Sequence, residues 1–348
     1  MSGLVLVAAL LLDRWLGELR RWHPLVGYGH LVSRVEAVLY KDSASPAQQL
    51  LRGGLGWILL VVAPVLLLSA LLALLPTAAA AVISVLILYF AIGLRSLGEH
   101  ARAVAKPLRR GDLAQARRQL AMIVSRDTAQ LEAPAITRAT MESVLENGSD
   151  AVIAPLFWFV VAGAPGVLAQ RLINTLDARW GYRSSRFLYF GRLAARADDL
   201  INWLPARLTA LAYALVGRWR PALQCWRQQG GLTASPNAGV VMAAGAGALE
   251  VQLGGPATYH GQQEWRPPLG CGRIAQVSTA GDDIDRSVAL LERASWLLAI
   301  LWLVLATVSA TTATTSVATP TSSASAAPSA TIASASLPAL SSNPGDWW

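Results

Sequence analysis

The sequence predicts an all-α, polytopic integral membrane protein, and three observations support this fold class. Hydrophobic residues make up 54% of the 348 residues and charged residues only 14%, whereas soluble proteins average about 25% charged residues. Several apolar runs approach the roughly 20 residues that cross a bilayer. No stretch shows a strand pattern above noise, and no βαβ order is visible. We therefore expect spanning helices joined by amphipathic and interfacial helices.

The clearest predicted spans are residues 55–75 and 78–94, neither of which contains a charge. Pro64 predicts a kink in the first. The short connector makes the pair an antiparallel hairpin, and the cations flanking its outer ends place those ends in the cytoplasm. Residues 295–309 are a further candidate. Residues 151–169 are long enough to cross, but proline and glycine interrupt them, which predicts a broken or re-entrant helix.

The segments between the spans favour helices and turns that lie at the membrane surface. Asp112 is placed to cap the helix that follows it. The expected elements are a retained N-terminal helix over 1–12, a bend at Gly27-Tyr28-Gly29, a helix over 30–40, amphipathic helices over 95–150, an interfacial helix over 218–229, and a loop region over 230–272 containing a helix at 240–249.

The C-terminal segment differs in composition from the rest of the chain. Residues 310–348 are rich in Ser, Thr, Ala and Pro and carry almost no charge. Such a segment has little apolar surface to bury, so we expect a disordered tail. The remaining residues, 1–309, are expected to form one membrane-embedded domain.

The charge and the reactive side chains exclude several classes of protein. The net charge of +8 is spread over all polar segments, which argues against nucleic-acid binding and suits contact with anionic lipids of the bilayer. The two cysteines and four histidines are scattered, so they predict neither a disulfide framework nor a zinc site.

Three acids at helical spacing form the first candidate site. Glu142, Glu146 and Asp150 recur every four residues, so a continuous helix would place them on one face. A Mg²⁺ ion that carries a nucleotide would offset their mutual repulsion. The alternative is a solvated helix face, and Gly148 could end the helix before Asp150.

A second cluster follows the broken span and contains both carboxylates and guanidinium groups. Asp198 and Asp199 could orient or deprotonate an amine nucleophile, or anchor a metal. The alternative is an ion-pair network with Arg196 and Arg207 at the headgroup level.

Three further segments suit an anion. Arg126 could clamp a phosphate or carboxylate. Backbone N–H groups of the Gly254-Gly255 turn, and of the turn that contains Ser235 and Asn237, could cradle one. Neither turn is a Walker A loop, so each signal is weak by itself.

Several short strings, taken together, resemble the CobD/CbiB family of cobalamin biosynthesis, the adenosylcobinamide-phosphate synthases. They cover roughly residues 5–309 in the family's order. The strings are Asp13-Arg14, Arg21-Trp22-His23-Pro24, Ser125-Arg126-Asp127, Glu146-Asn147 with Asp150, Asn174-Thr175-Leu176-Asp177, Ala195-Arg196 with Asp198-Asp199, Leu204 to Ala210 with Arg207, Ser235-Pro236-Asn237-Ala238-Gly239, and Leu253-Gly254-Gly255. One departure is that Val240, Val241 and Met242 stand where the family usually has an aromatic residue followed by Pro-Glu.

The resemblance implies an ATP-dependent ligase. It would join a propionate carboxylate of adenosylcobyric acid, a corrinoid, to (R)-1-amino-2-propanol or its O-phosphate. The expected cofactors are ATP and Mg²⁺, and other membrane enzymes of cobalamin assembly are possible partners. The implied roles are metal binding by Glu142, Glu146 and Asp150, catalysis by Asn174, Asp177, Asp198 and Asp199, and cofactor binding by His23, Arg126, Arg196, Arg207, Ser235, Asn237, Gly254 and Gly255.

Two other functions remain open at this point, a non-catalytic membrane sensor or scaffold and a small-solute transporter. Convergence of Glu146, Asp177, Asp198 and Asn237 on one cytoplasmic cavity would favour the enzyme. We expect a multi-pass protein of the inner (cytoplasmic) membrane whose active site faces the cytoplasm.

Overall fold

The structure is a computed structural model that describes residues 2–18, 24–182, 184–259, 261–274 and 276–317. Helices dominate it, which confirms the predicted fold class. The helices are α1 Ser2–Leu16, α2 Pro24–Leu39, α3 Pro46–Trp57, α4 Ala63–Leu74, α5 Thr77–Ala91, α6 Leu94–Arg109, α7 Leu113–Leu120, α8 Ala133–Gly148, α9 Ala154–Trp180, α10 Arg192–Ile201, α11 Trp203–Val216, α12 Trp219–Gln229, α13 Ala238–Leu249 and α14 Ala280–Val317.

Four continuous helical stretches among the described residues are long and apolar enough to cross a membrane. They are Pro46–Leu74, Thr77–Arg109, Ala133–Trp180 and Val277–Val308, and each overlaps one of the four predicted spans. Helix α4 has no buried residue although it is almost wholly apolar. An exposed apolar face of that kind suits lipid rather than water.

Two of these stretches are irregular where the sequence predicts it. Pro64 has no N–H to offer the carbonyl of Leu60, so a π turn over Ile58–Val62 precedes it. The hydroxyl of Tyr28 donates to that carbonyl at 3.3 Å. In α9 the backbone of Gly163 is non-helical, with φ 63° and ψ −157°. The predicted break in the third span is therefore confirmed.

A small β-sheet contradicts the expectation of loop over 250–272. Strands β1 Val251–Tyr259 and β2 Gln262–Leu269 pair antiparallel, and β3 Arg273–Ile274 pairs parallel to β1, in the order β2-β1-β3. Glycine and proline hide the strand pattern in the sequence. Gly254 has φ 83° within β1, and a Cβ there would lie 2.2 Å from the Pro267 carbonyl oxygen.

Local signals elsewhere are partly confirmed. Asp112 caps α7 by accepting a bond from the Gln115 amide at 2.9 Å. The bend expected at Gly27-Tyr28-Gly29 is wrong, because α2 runs through all three residues. Asp13, which opens the first family-like string, is buried and accepts a bond from the Arg95 amide at 2.9 Å. It therefore joins α1 to the start of α6.

Two hydrophobic clusters hold the polar helices in place. The larger joins buried residues of α1, α5, α6, α8, α11, α13 and α14 with the sheet. The smaller is built around Trp180 and Phe190, whose rings meet edge to face with centroids 4.7 Å apart. It fixes the end of α9 against α2 and α10, so that carboxylates from α9 and α10 meet.

The chain divides into two units, Met1–Val308 and Ser309–Trp348. In the second unit the described residues are the end of α14, which is helical through Val317. The expectation of a disordered tail over 310–348 stays a prediction.

Candidate functional site

Carboxylates from three helices line one cavity of about 370 Å³. These carboxylates belong to Glu146, Asp150, Asp177, Asp198 and Asp199. The other polar lining residues are Ser149, Asn174, Ser235 and Asn237. We call this space the acid cavity. It brings together residues of segments from α8 to α13, including the four predicted catalytic residues Asn174, Asp177, Asp198 and Asp199.

The end of α8 decides how its acids are placed. The helix stops at Gly148, and a π turn over Ser149–Ile153 leads into α9. A π turn inserts one extra residue per turn, so the step from Glu146 to Asp150 is no longer one regular helical turn. All three acids line a neighbouring cavity, and Glu146 and Asp150 also reach the acid cavity.

Asp198 is held by a chain of side-chain amides. Asn202 donates to its Oδ1 at 2.9 Å and Asn174 donates at 3.3 Å. Gln170 donates to the Asn202 Oδ1 at 3.2 Å, which fixes that amide. Burial raises the pKa of Asp198, and the two amide bonds oppose this because they favour the charged carboxylate.

The turn that contains Ser235 and Asn237 forms the start of α13. The Ser235 Oγ accepts bonds from the amides of Asn237 at 3.3 Å and Ala238 at 3.2 Å. Asn237 Nδ2 donates to the Asp199 carbonyl at 2.9 Å, so the turn is tied to α10.

Arg207 holds the same turn from the other side. It donates to the Asn237 Oδ1 at 2.7 Å and to the Pro236 carbonyl at 3.0 Å. Its guanidinium stacks over Trp203, 4.5 Å from the ring centroid. Partial burial lowers the pKa of Arg207.

Glu142 lies at a second cavity of about 350 Å³, which we call the arginine cavity. The carboxylate is 2% exposed and accepts bonds from Arg126 and Arg266, each at 2.5 Å, and from the Gly254 amide at 2.8 Å. The Gly254 N–H therefore donates to a side chain of the protein itself.

The predicted magnesium ligands are not assembled as one set. Among the described residues, no group of three or more His, Cys, Asp or Glu is placed to hold a metal ion. Glu142 is engaged by three donors, whereas Glu146 and Asp150 face the acid cavity.

Arg196 lines two further cavities that adjoin the acid cavity at Asp199. One, of about 390 Å³, is walled by Tyr182, Phe187 and Tyr189. The other, of about 560 Å³, also contains Arg207 and Arg227. Gly255 lies in β1 with φ 92°, and His23 lies outside the described residues.

Two residues of the site, Arg266 and Gln170, were not predicted from the sequence. Arg266 lies on a strand that was not predicted, so nothing linked it to Glu142. Gln170 is fully buried in α9 and also donates to the Asp150 carbonyl at 2.9 Å. An amide directly after the apolar run 151–169, on a helix that continues from it, is a signal that could have identified it.

The chain is similar to known proteins over most of its length. The family described as "CobD/Cbib protein" matches residues 6–291. A cobalamin biosynthesis protein CobD from Chromobacterium violaceum is 53% identical over 307 residues, which are 88% of this chain and 97% of the relative. The protein of that name from Stutzerimonas stutzeri is 54% identical over 299 residues, 86% and 97%.

More distant relatives carry the same name. The CobD protein of Mycobacterium tuberculosis is 41% identical over 290 residues, which are 80% of this chain and 88% of the relative. No solved structure matches the chain. The match of the family over residues 6–291 and the identities above 50% show that the chain belongs to the CobD/CbiB family, and the relatives named here are cobalamin biosynthesis proteins.

Proposed function

We propose that the protein is an ATP-dependent ligase that forms an amide between adenosylcobyric acid and (R)-1-amino-2-propanol or its O-phosphate. The observation that carries the proposal is that Glu146, Asp177, Asp198 and Asn237, from four separate segments, line one cavity. Membership of the CobD/CbiB family supports the corrinoid substrate. A fixed cavity with convergent polar groups is typical of an active site.

The reaction needs activation because a carboxylate and an ammonium ion do not condense unaided in water. A propionate oxygen of the corrinoid attacks the γ-phosphorus of ATP, and ADP leaves. The amine nitrogen then attacks the acyl carbon, and inorganic phosphate leaves. One proton from the ammonium and one from the nitrogen of the adduct must be accepted during this sequence.

The carboxylates of the acid cavity suit that proton transfer. Burial raises the pKa of Asp198, so its ionised form is a stronger base than an exposed aspartate. Asn174 and Asn202 hold the Oδ1 in place, which leaves Oδ2 as the accepting atom. Asp177 and Asp199 line the same cavity and are placed to attract the ammonium group.

The donor chemistry of the cavity also fits Mg²⁺, which enters with ATP as part of the substrate. Carboxylate oxygens are preferred ligands for this ion, and one or two of them usually hold a magnesium nucleotide. Glu146 and Asp150 are the candidates because both line the acid cavity and the arginine cavity. The ion would neutralise charge on the phosphate chain.

We place the protein in the inner membrane with the site facing the cytoplasm. The hairpin of spans formed by α3–α4 and α5 has cations towards its outer ends, with Arg52 in α3 and with Arg95 and Arg102 after α5. The positive-inside rule assigns such ends to the cytoplasm. ATP and the corrinoid would be supplied there, and other membrane enzymes of cobalamin assembly are candidate partners.

The test is product formation by membranes that contain the protein. Adenosylcobyric acid, aminopropanol or its phosphate, and Mg-ATP are supplied, and the amide product is measured by mass spectrometry. We expect ATP-dependent product with the wild type and a loss of at least about a hundredfold with Asp198→Asn, since general-base catalysis contributes about 10²–10⁴-fold.

The control is Asp42→Asn, which removes one carboxylate from an exposed turn. It should retain wild-type activity. No product with the wild type would refute the ligase. Unchanged product with Glu146→Gln and Asp198→Asn combined would refute the site and leave the reaction intact.

A further inference from the structure

The arginine cavity holds two guanidinium groups that come from distant parts of the chain. Arg126 precedes α8, and Arg266 lies on β2. Both bond to the same Oε2 atom of Glu142. Two guanidinium groups against the one carboxylate of Glu142 give this cluster one positive charge in excess, and Glu146 and Asp150 add two further carboxylates to the wall of the same cavity of about 350 Å³.

Three donors of the protein bond the Glu142 carboxylate, which leaves it little capacity for a ligand. Its Oε1 accepts the Gly254 amide, and its Oε2 accepts both arginines. Its side chain is only 3% exposed, against 10% for Arg126 and 23% for Arg266. The arginines therefore present their remaining N–H groups to the cavity, while the carboxylate lies behind them.

The hairpin that carries Arg266 is tied to the segment that carries Arg126. The Asp127 amide donates to the Thr258 carbonyl at 2.8 Å, and the Gly261 amide donates to the Asp127 Oδ2 at 2.8 Å. These bonds fix the tip of the hairpin beside Arg126. The two guanidinium groups are thus pre-organised before any ligand enters, which lowers the entropic cost of binding.

The position of the cavity indicates which anion it takes. Glu146 and Asp150 line both this cavity and the acid cavity, so an anion here would lie next to carboxylates suited to Mg²⁺. By contrast, Arg207 lines the cavity of about 560 Å³ that also contains Arg196 and Arg227. Its guanidinium donates to the carbonyls of Trp203 and Pro236 and to the Asn237 Oδ1, and so holds the turn at the start of α13.

We propose that Arg126 and Arg266 bind the β- and γ-phosphates of the nucleotide, and that Glu142 is a positioning residue for both rather than a magnesium ligand. The proposal rests on the proposed ATP-dependent function. It assigns a binding role to Arg266 and a new role to Glu142. Guanidinium groups match phosphate oxygens in geometry and charge.

The test measures nucleotide binding without the other substrates. Purified protein in lipid nanodiscs is titrated with labelled ATP or AMP in the presence of Mg²⁺, by equilibrium dialysis. We expect Arg126→Gln and Arg266→Gln each to weaken ATP binding by about tenfold or more, since each loses a charged hydrogen bond. AMP, which lacks the β- and γ-phosphates, should bind the variants and the wild type alike.

Glu142→Gln should weaken ATP binding and leave AMP binding unchanged, as the two arginine variants do. The half-saturating Mg²⁺ concentration should stay at its wild-type value. The matched control is Arg118→Gln, an exposed arginine of α7 whose guanidinium bonds Gln115. It should bind ATP as the wild type does. Size-exclusion profiles establish that each variant is folded, and the two arginine variants decide the outcome if Glu142→Gln is not.

Three results would overturn the reasoning in distinguishable ways. Wild-type ATP affinity in both arginine variants, with binding by the wild type, refutes the phosphate site and leaves the ligase standing. A higher Mg²⁺ requirement in Glu142→Gln refutes the positioning role and makes this residue a metal ligand. Absence of nucleotide binding by the wild type refutes the ATP-dependent function itself.

Discussion

The amide chain around Asp198 predicts how activity depends on pH. Asn202→Ala removes the 2.9 Å bond from Asn202 Nδ2 to Asp198 Oδ1. A hydrogen bond to a charged group contributes about 1.5–3 kcal/mol. Because this bond favours the ionised carboxylate, its loss raises the pKa of Asp198 beyond the rise that burial already causes.

The consequence appears on the acidic side of the pH profile. If ionised Asp198 accepts the proton of the amine, the variant needs a higher pH to reach the same fraction of active enzyme. Since 1.36 kcal/mol corresponds to one pKa unit, the acidic limb should move upward by on the order of one pH unit. At high pH, where Asp198 is ionised in both proteins, the variant should recover most of its rate.

The assay is the rate of amide formation between about pH 5.5 and 9, measured at saturating Mg-ATP. Asn174→Ala, which loses a 3.3 Å bond to the same oxygen, should shift the limb in the same direction by less. Thr175→Ala is the control, since its hydroxyl bonds only the Arg171 carbonyl of its own helix. An acidic limb that stays fixed or moves to lower pH in Asn202→Ala would refute the role of Asp198 as the base.

Three further predictions concern packing, stability and the α13 turn. A Cβ at Gly191 would lie 1.7 Å from the Trp180 carbonyl oxygen, so Gly191→Ala should lower the thermal unfolding midpoint in detergent. Gly27→Ala, whose Cβ would meet no atom of the described residues within 4 Å, should leave the midpoint unchanged. Equal midpoints for the two variants would contradict the packing. Burial raises the pKa of Asp13 from 3.8 to about 6, against the opposing Arg95 amide, so the protonated form favours the fold and stability should fall as pH rises from about 4 to 6. Asp13→Asn should flatten that dependence in thermal melts, and an unchanged slope would count against it. Arg207→Lys loses the guanidinium hydrogen bonds to Asn237 and Pro236 and should lower the rate of amide formation about tenfold. The control Arg118→Lys should have no effect on that rate. A wild-type rate in Arg207→Lys would show that the turn does not need this arginine.

Much of the fold follows from local patterns that can be read directly in the sequence. Apolar runs of membrane length predict the four candidate spans, and Pro64 and Gly163 mark the two irregular stretches, because a missing N–H and a missing Cβ act within one or two turns. The Asp112 cap is similarly local. The sheet was missed because Gly254, Gly255 and the prolines of β2 suppress the alternation by which a strand is recognised.

The candidate site was predicted in part. The aspartates of the second cluster and the Ser235 turn do meet at one cavity with Glu146 and Asp150. The arginines of that cluster, Arg196 and Arg207, line an adjoining cavity. The spacing of the acids did not reveal the partners of Glu142, because the hairpin brings Arg266 and the Gly254 amide onto its carboxylate. Neither contact has a signature within a few residues of Glu142.

The sequence by itself determined the helical membrane architecture, the family, and the set of ionisable residues available for chemistry, since these depend on composition, local periodicity and short motifs. The tertiary structure alone decided which of those residues act together. It turned Glu142 inward to two arginines and gathered the acids of α8, α9 and α10 around one cavity. The physical reason is that a buried charge must find partners, and two of the three partners of Glu142, Arg266 and the Gly254 amide, came from more than a hundred residues away along the chain.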